Sequence, residues 1–541
     1  MTDFSRVPGT PQSSNLPLLA ALAADLQDAG YTVDGVAAFL GEEANAALGR
    51  DQLVPAMLAC REAAGAGTAT AVAAAVALWL VGESVPVEQA DEAFPRTGAA
   101  GLRDLGLAEK DPAAPELLRA AVDLRPYEFE TGSSAENAST HLWVASDLGE
   151  HQRPGVLPHG HVLGIGQASL SLAQLSLRDP VERALDLGTG CGIQVFHLLG
   201  HARHVTATDI SERALGFTRF NLVLNAPSLD LDPERLQDRV DLRLGSMLEP
   251  VAGEQFDQVV SNPPFVITPR VPGEEAEDRF TYRDGGLPGD GIVSGLFRDL
   301  ESVLAPGGTV QMLGNWEIQG REDSKDAWNT RLRSWLPDTM DAWVIQREVL
   351  SPAEYAEMWL RDAAENRDRA EYAASYAAYL QDFASRGTTG IGFGTVWMRR
   401  RTDPKAAPLR RFEEITHPLE SPLAPHLAAA VERFDWTREH PDLAAEHLVV
   451  ADDVTEERHA RPGAEHPGVI LLRQGAGLRR TNLMSTELTG FVSACDGELP
   501  AGAIIAALAA LLGREDPEFG PALEEEVRNL VLDGFLLPAE Q

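Results

Sequence analysis

Residues 257–267, DQVVSNPPFVI, hold the side chains that most directly indicate chemistry. An apolar run typical of a buried strand ends at Ser261, and Asn262, two prolines and Phe265 follow. The prolines explain why the strand ends, because proline has no N–H with which to continue a sheet. A rigid turn here can present the Asn262 oxygen as a hydrogen-bond acceptor and the Phe265 ring as a stacking face. A turn in which Asn262 only caps a helix leaves Phe265 unexplained.

A second candidate site lies upstream, where a strand over residues 184–187 leads into the turn GTGCG and then into a helix. The glycines of this turn permit a sharp bend and leave room for a ligand, and the helix start offers free N–H donors. The next predicted strand ends at Asp209. A carboxylate at that place in a doubly wound sheet commonly accepts hydrogen bonds from ribose hydroxyls. The two strands therefore predict a nucleoside-binding edge.

The segments DLGTGCG, ATDIS, RALGFTRFNLVLN and SNPPF occur in the order and spacing of class I methyltransferases that use S-adenosylmethionine. The region from about residue 124 to 313, with the strand through residue 400, resembles the small-domain group of that family. This group includes glutamine methyltransferases of release factors, guanine-amino methyltransferases of ribosomal RNA, and adenine-amino methyltransferases of DNA and RNA. The resemblance implies S-adenosyl-L-methionine as the cofactor and no metal.

The resemblance also implies a role for each matching residue. Asp186 and the glycine turn would hold the methionine part of the cofactor, Asp209 the ribose, and Ser246 with Met247 the adenine. Family members often carry an aspartate where this chain has Ser246. The implied cofactor residues are Asp186, Gly188, Thr189, Gly190, Gly192, Asp209, Ile210, Ser246, Met247 and Asn262, and the implied catalytic residues are Asn262, Pro263, Pro264 and Phe265.

Methyl transfer to a planar NH2 group explains the composition of SNPPF. The lone pair of such a nitrogen is delocalised, so the enzyme must weaken that conjugation. The Asn262 oxygen can accept one N–H of the acceptor and the carbonyl of Pro263 the second. Two acceptors on one NH2 group help its nitrogen to pyramidalise, while Phe265 offers a face for a planar group. Positioning and water exclusion supply most of the catalysis, and no strong general base is needed.

Two acceptors remain open. Residues 282–313 resemble the glutamine methyltransferases, with a glycine-rich turn, a helix and a PGG turn. The segments DLRPYEF and WVASDL ahead of the cofactor motif resemble the ribosomal-RNA guanine methyltransferases instead. This segment and the winged-helix-like flanks favour an exocyclic amine of a nucleobase in structured RNA or DNA over a protein glutamine. A regulatory protein that binds the cofactor without catalysis is a third possibility, and the intact motifs disfavour it.

Charge limits which partners are reasonable. The formal net charge is −37, and such a surface repels phosphate backbones over long range. Two arginine groups, in WMRRR and PLRRF, together with Arg479 and Arg480, form either a phosphate-binding strip or ordinary solvated faces and salt bridges. His151, His159 and His161 are spaced too irregularly to predict a metal site, and a loop near the substrate entrance is the favoured interpretation.

The periodicity predicts an α/β protein with three structured parts. Residues 1–15 read as a disordered lead-in and residues 16–120 as a helical, winged-helix-like unit without a clear strand. Residues 121–401 read as a Rossmann-like, doubly wound methyltransferase sheet, closed by a late strand over residues 390–401. Residues 402–541 read as a C-terminal α/β unit that is also winged-helix-like.

The cysteine and apolar patterns indicate the compartment. Three widely separated cysteines argue against a disulfide framework, and the most apolar stretch, from Thr68, is shorter than the roughly 20 residues that span a bilayer. The N-terminus has no secretory signal pattern. We therefore expect a cytoplasmic protein without a membrane segment, and the sequence does not indicate its oligomeric state.

Overall fold

The computed structural model describes residues 3–66, 70–131, 138–149, 151–152, 160–270, 285–320, 327–362 and 369–539. Met1, Thr2, His159 and residues 282–284, which carry some of the expectations above, lie outside these ranges. The chain forms two compact units: residues 1–173 with 178–414, and residues 174–177 with 415–541.

The first part of the larger unit is mainly helical. The fourth helix continues as a π-helical segment, Val76–Val81, and every side chain from Ala73 to Val81 is buried. Trp79 packs between Tyr31 and Phe94 with tilted rings, whose centroids are 5.9 and 5.2 Å away. The helices are α1 (Leu16–Asp28), α2 (Val33–Leu48), α3 (Val54–Gly65), α4 (Ala71–Ala75), α5 (Val87–Ala93) and α6 (Gly98–Asp104).

Three short strands complete this region: β1 (Val85–Pro86), β2 (Ala108–Lys110) and β3 (Leu117–Ala120), paired antiparallel in the order β1-β3-β2. The order helix, β1, α5, α6, β2, β3 matches the expected winged-helix-like unit. The expectation that this region lacks strands is wrong, because strands of two to four residues are too short to show an alternating pattern.

Residues 3–15 differ from the predicted disordered lead-in. Phe4 and Val7 are buried against Leu215, and the backbone N–H of Gln12 donates to Leu105 O at 2.8 Å. The segment forms no helix or strand, so its order depends on tertiary contacts that no local pattern reveals.

An antiparallel hairpin of β4 (Asp123–Thr131) and β5 (Ala138–Ser146) precedes the main sheet. The sheet has eight strands in the order β13-β11-β12-β10-β9-β6-β7-β8. These are β6 (Val181–Leu187), β7 (Ala202–Asp209), β8 (Val240–Leu244), β9 (Phe256–Ser261), β10 (Leu304–Gln319), β11 (Met340–Leu350), β12 (Thr388–Arg400) and β13 (Arg410–Glu414).

Helices cover the sheet, which makes this a Rossmann-like, doubly wound α/β fold. They are α7 (Gln167–Leu175), α8 (Ile193–Leu199), α9 (Glu212–Leu224), α10 (Gly291–Asp299), α11 (Thr330–Trp335), α12 (Pro352–Asp362) and α13 (Arg369–Arg386). The central strands read as continuous apolar runs because parallel strands are covered on both faces.

Strand β12 does not close the sheet as expected. It lies between β10 and β11 and runs antiparallel to both. Strand β13 pairs with β11 at the edge, so the larger unit extends to Glu414, beyond the boundary expected at residue 402.

The smaller unit has its own apolar core around Phe491, Val527 and Phe535. Two three-stranded sheets, β18-β14-β19 and β15-β16-β17, pack with four helices. The elements are α14 (Ala424–Glu439), β14 (His447–Val450), β15 (Val454–His459), β16 (Val469–Gln474), β17 (Thr481–Leu483), α15 (Thr486–Ser493), β18 (Asp496–Pro500), α16 (Ala501–Leu511), α17 (Phe519–Asp533) and β19 (Leu536–Pro538). None of the helices that the structure describes, in either unit, is long and apolar enough to cross a membrane.

Candidate cofactor and acceptor site

The candidate site lies at the carboxyl ends of four neighbouring parallel strands. Leu187, near the end of β6, pairs with Thr208 of β7 and with Ser261 of β9, and Asp209 pairs with Leu244 of β8. This edge of an open α/β sheet is where ligands bind in such folds. The predicted cofactor turn and the SNPPF motif therefore meet although they are far apart in sequence.

The glycine turn adopts a conformation that other residues rarely take. Gly188, Gly190 and Gly192 have φ values of 79°, 58° and 93°. The backbone N–H groups of Gly188 and Thr189 both donate to Thr208 O, at 3.0 and 2.9 Å, which fixes the turn to β7. A Cβ on Gly192 would lie 3.0 Å from Thr218 Cγ2, so glycine is needed there for close approach to α9.

Asp186 lies beneath this turn, with only 1% of its surface exposed. Its Oδ2 accepts the Thr189 hydroxyl at 2.7 Å. Burial raises the pKa of the Asp186 carboxyl to about 7, the Thr189 hydrogen bond lowers it, and the nearby Asp209 raises it. The carboxyl is consequently half protonated near neutral pH.

Asp209 closes the other side of the turn. Its Oδ2 accepts the Gly190 N–H at 3.0 Å and its Oδ1 the Ser211 N–H at 2.9 Å. The pKa of Asp209 is raised above its ordinary value, because burial raises it by more than the backbone N–H donors lower it. Each carboxylate oxygen keeps lone-pair capacity for a further donor, such as a hydroxyl group.

The described residues at this edge enclose a cavity of about 450 Å³. That volume is typical of a cofactor or small-molecule site. The predicted site residues that line it are Gly188, Thr189, Gly190, Asp209, Ile210, Ser246, Met247, Asn262, Pro263 and Pro264. The structure therefore brings ten of the predicted residues to one cavity.

Three predicted residues do not line this cavity: Asp186, Gly192 and Phe265. Asp186 reaches it only through Thr189, and Gly192 packs on α9. Phe265 is half-buried among apolar side chains that include Val266 and Tyr355. Its expected stacking role stays a prediction.

The SNPPF turn is held by its own backbone and by β6. The Ser261 hydroxyl donates to Leu187 O at 2.8 Å, and the Phe265 N–H donates to Pro263 O at 2.8 Å. No residue within the described ranges hydrogen-bonds the side chain of Asn262. Asn262 itself lines the cavity.

Sequence reasoning missed several lining residues. The wall between β5 and α7, from His161 to Gly166, carries only glycines, aliphatic residues and one histidine, so no motif marks it. Gly285, Gly286 and Ile292 line the cavity from the start of α10. In the sequence, only the glycine-rich turn within residues 282–313 indicated them.

Asn221 of α9 and Asn225, which caps that helix, were quoted only as part of a motif, and the structure gives them a role. The Asn221 side chain pairs with both backbone groups of Ala145, at 2.8 and 3.0 Å, and donates to Cys191 O at 2.9 Å. Asn225 pairs in the same way with the backbone of Trp143. These amides join β5 to α9 and to the glycine turn.

The donor set suits S-adenosylmethionine. Ile210 and Leu163 are 61% and 49% exposed, although both line the cavity, so a flat apolar group such as adenine would cover them. Asp209 offers oxygens for ribose hydroxyls, and none of the described lining residues is Lys or Arg that would repel a cationic sulfonium. The residues present therefore fit this cofactor.

Comparison with known proteins agrees with this geometry. Residues 151–278 match the family model "Methyltransferase small domain", and residues 28–121 match a domain of unknown function, DUF7059. The ribosomal protein uL3 glutamine methyltransferase of Bradyrhizobium diazoefficiens is 30% identical over 195 residues, covering 35% of this chain and 56% of that protein. The release factor glutamine methyltransferase of Moorella thermoacetica is 36% identical over 160 residues, covering 28% of this chain and 53% of that protein.

The chain thus spans about half the length of the curated relatives it matches. Among solved structures, a methyltransferase from Pyrococcus furiosus aligns with 44% of this chain and 87% of its own at 16% identity, with a TM-score of 0.25, which is too low to support an argument. The family match and the cavity coincide in sequence. Residues 151–278, which supply most of the cavity lining, thus match the small-domain methyltransferase family.

Proposed function

We propose that this chain is an N-methyltransferase whose acceptor is the side-chain amide of a glutamine in a protein. The observation that carries the proposal is the shared cavity: Asn262 and Pro263 line it together with the glycine turn and Asp209. The names of the relatives, which are glutamine methyltransferases, supply the acceptor class. This proposal reverses the preference for a nucleobase that the sequence suggested.

The five arginines of WMRRR and PLRRF lie toward the amino ends of the parallel strands, away from their carboxyl ends where the cavity is. Arg399 pairs with Thr309, which lies on the amino-terminal side of the part of β10 that pairs with β9. Asn262 instead follows the carboxyl end of β9.

Each of these arginines also has partners within the chain. Arg399 contacts Asp341 at 2.8 Å and Arg411 contacts Glu413 at 2.6 Å. The guanidinium groups of Arg400, Arg401 and Arg410 donate to backbone carbonyls. Two of the five charges are therefore paired, and the other three guanidinium groups donate within the chain, which favours a protein acceptor over a nucleic acid.

S-adenosylmethionine, when bound, supplies an electrophilic methyl group. The chain has to orient the amide nitrogen of the acceptor. Asn262 Oδ1 can accept a hydrogen bond from one of the two N–H groups of this amide, because no residue that the structure describes hydrogen-bonds the Asn262 side chain. The second N–H can be accepted by Pro263 O, which retains one lone pair beside the Phe265 N–H. Accepting both hydrogens turns the nitrogen lone pair out of conjugation.

The turn is built to hold these acceptors still. Pro263 is buried, and its carbonyl direction is fixed by the 2.8 Å hydrogen bond from Phe265. Proline at 263 and 264 restricts φ and adds no donor that would compete with the acceptor amide. After transfer the methylated nitrogen gives one proton to water, so the residues in contact with it need only to accept hydrogen bonds.

The compartment we propose is the cytoplasm. Cys60, Cys191 and Cys495 are buried and free in the structure. Burial raises the pKa of each thiol to about 12, so all three remain protonated and unreactive. A reducing compartment fits this pattern.

The proposal is tested by identifying the labelled product. The purified chain is incubated with methyl-labelled S-adenosylmethionine and a lysate from cells that lack its gene. Label that protease but not nuclease releases, and that mass spectrometry places on a glutamine side chain, is the expected result. Release by nuclease would instead establish a nucleobase acceptor, and the absence of any label with cofactor binding intact would favour the regulatory alternative.

Asn262→Ala separates binding from chemistry. We expect labelling to fall by at least about 100-fold because one of two acceptors is lost. The affinity for S-adenosylhomocysteine, measured by calorimetry, should change less than about threefold. Asn45→Ala, an exposed asparagine on α2, is the matched control and should label as the unsubstituted chain does.

A further inference from the structure

Residues 3–14, which we call the N-terminal strap, lie folded on α9. Phe4 and Val7 are buried against Leu215. A Cβ on Gly216 would meet Thr10 Oγ1 at 2.8 Å, so a glycine on α9 lets the strap approach the helix closely. The strap is thus seated on the helix that follows the Asp209 strand.

We call residues 160–169 the cavity wall, because residues 161–166, Ala168 and Ser169 within this segment line one side of the cofactor cavity. One end of the wall is tied to the end of β5: Val162 N–H donates to Asp147 Oδ2 at 2.8 Å, and Asp147 N–H donates to Val162 O at 3.1 Å. The other end is tied to α8, where Gln194 Nε2 donates to Ser169 O at 2.8 Å. The wall contains no helix or strand before α7.

Arg213 joins the strap to the wall. From α9, its guanidinium donates to both oxygens of Asp147, at 2.9 and 2.6 Å. It also donates to Gly160 O at 2.5 Å and to Gly9 O at 2.8 Å. A planar guanidinium suits such a set, because its five N–H groups point outward in one plane.

The approach of the strap to Arg213 depends on Gly9. Gly9 has a φ of 73°, and a Cβ there would lie 3.3 Å from Arg213 Nε. A larger residue would therefore strain the turn and displace its carbonyl from the guanidinium.

We infer that Arg213 is a positioning residue for the cofactor site, through which the strap and the end of β5 hold the cavity wall in place. Arg213 does not line the cavity, so its effect on the cofactor passes through the wall. Leu163, exposed on the wall, keeps its place beside an apolar group in the cavity only while the wall is held. The inference rests on the proposed function in taking this cavity as the cofactor site.

Arg213→Gln tests the inference in the full chain, with S-adenosylhomocysteine as the probe. Two quantities are measured: amide hydrogen exchange across the chain, and the dissociation rate of the probe. We expect exchange to rise at least about tenfold in residues 161–166 and in the strap, with exchange in α8 unchanged. The probe should dissociate roughly tenfold faster.

Two further variants isolate the strap. Gly9→Ala leaves Arg213 present and should also raise exchange in residues 161–166, by a smaller factor. Arg235→Gln is the matched control, because Arg235 pairs on the surface with Asp232 and Asp238 and contacts neither segment. If Arg213→Gln fails to fold, Gly9→Ala decides the question.

The outcomes separate the two proposals. Unchanged exchange in residues 161–166 in the substituted chains, or an unchanged dissociation rate where the unsubstituted chain binds the probe, would overturn the positioning role. If the unsubstituted chain fails to bind the probe, the proposed function is wrong, and the exchange measurement still decides whether Arg213 holds the wall.

Discussion

Asp186 and Asp209 end neighbouring strands, yet their surroundings give them different tasks. Asp209 lines the cavity and receives two backbone N–H groups, while Asp186 is buried beneath the turn with one hydroxyl donor. Burial holds the pKa of Asp186 near 7, so its protonation changes within the physiological range. An ionised Asp186 attracts a cationic ligand above the turn. When the cavity is empty, the burial of this charge away from water costs folding free energy.

This difference predicts how stability depends on pH. Because the folded-state pKa of Asp186 is about 7 and its ordinary value is 3.8, its stabilising contribution is complete below about pH 4 and is lost as pH rises to 7. Between pH 5.5 and 8, the free energy of unfolding of the unsubstituted chain should fall about 2 kcal/mol more than that of Asp186→Asn. Urea unfolding at several pH values measures this.

The range starts at pH 5.5 because the sequence pI is about 4.7, where solubility is least. Asp34→Asn, an exposed carboxyl on α2, should keep the pH slope of the unsubstituted chain. Parallel curves for the unsubstituted chain and Asp186→Asn would contradict the prediction.

At the scale of elements, the helical hairpin α12–α13 supports the backbone after the SNPPF turn. It is inserted between β11 and β12, and its apolar face packs on Val266 and Ile267. The fully buried Tyr355 hydroxyl accepts the Ile267 N–H and the Asn315 Nδ2–H, both at 2.8 Å. The hairpin therefore sets the path of the chain as it leaves the acceptor site.

Removing this hydroxyl should destabilise the fold. Tyr355→Phe leaves two buried N–H groups without their acceptor, so we expect a loss of about 2 kcal/mol in the free energy of unfolding. Tyr376→Phe on the same hairpin is the matched control: its hydroxyl makes an exposed hydrogen bond to Glu357 at 3.0 Å, and its loss should cost under about 0.5 kcal/mol. Equal effects from the two substitutions would refute the role of Tyr355.

At the scale of the molecule, the chain has separate cores in its two compact units. The core around Phe491, Val527 and Phe535 lies in the smaller unit, whereas the residues that line the cofactor cavity belong to the larger one. Apolar burial is the main source of folding stability, and separate cores allow separate unfolding.

Calorimetry should consequently show two unfolding transitions. S-adenosylhomocysteine at 100 times its Kd should stabilise the larger unit by about 2.7 kcal/mol and leave the other transition unchanged. A single transition that shifts as a whole would show that the two units unfold together.

The amino-acid sequence by itself determined the fold class and the core of the site. Each part of the site lies at the carboxyl end of one strand: the glycine turn, Asp209 and the SNPPF motif. Strands and turns can both be predicted from local sequence patterns. Since parallel strands end at a common edge, local patterns were sufficient to predict that these residues meet. The order of the motifs then identified the methyltransferase group.

Only the tertiary structure decided how the site is enclosed. Arg213 and Gly9 are 204 residues apart, and no periodicity connects them. The order of the strap, the interior place of β12, the burial of Phe265 and the position of the arginines toward the amino ends of the parallel strands all depend on contacts between distant segments. Such contacts form when apolar surfaces from distant segments are buried together. Local sequence patterns do not indicate which of these surfaces will pack against each other.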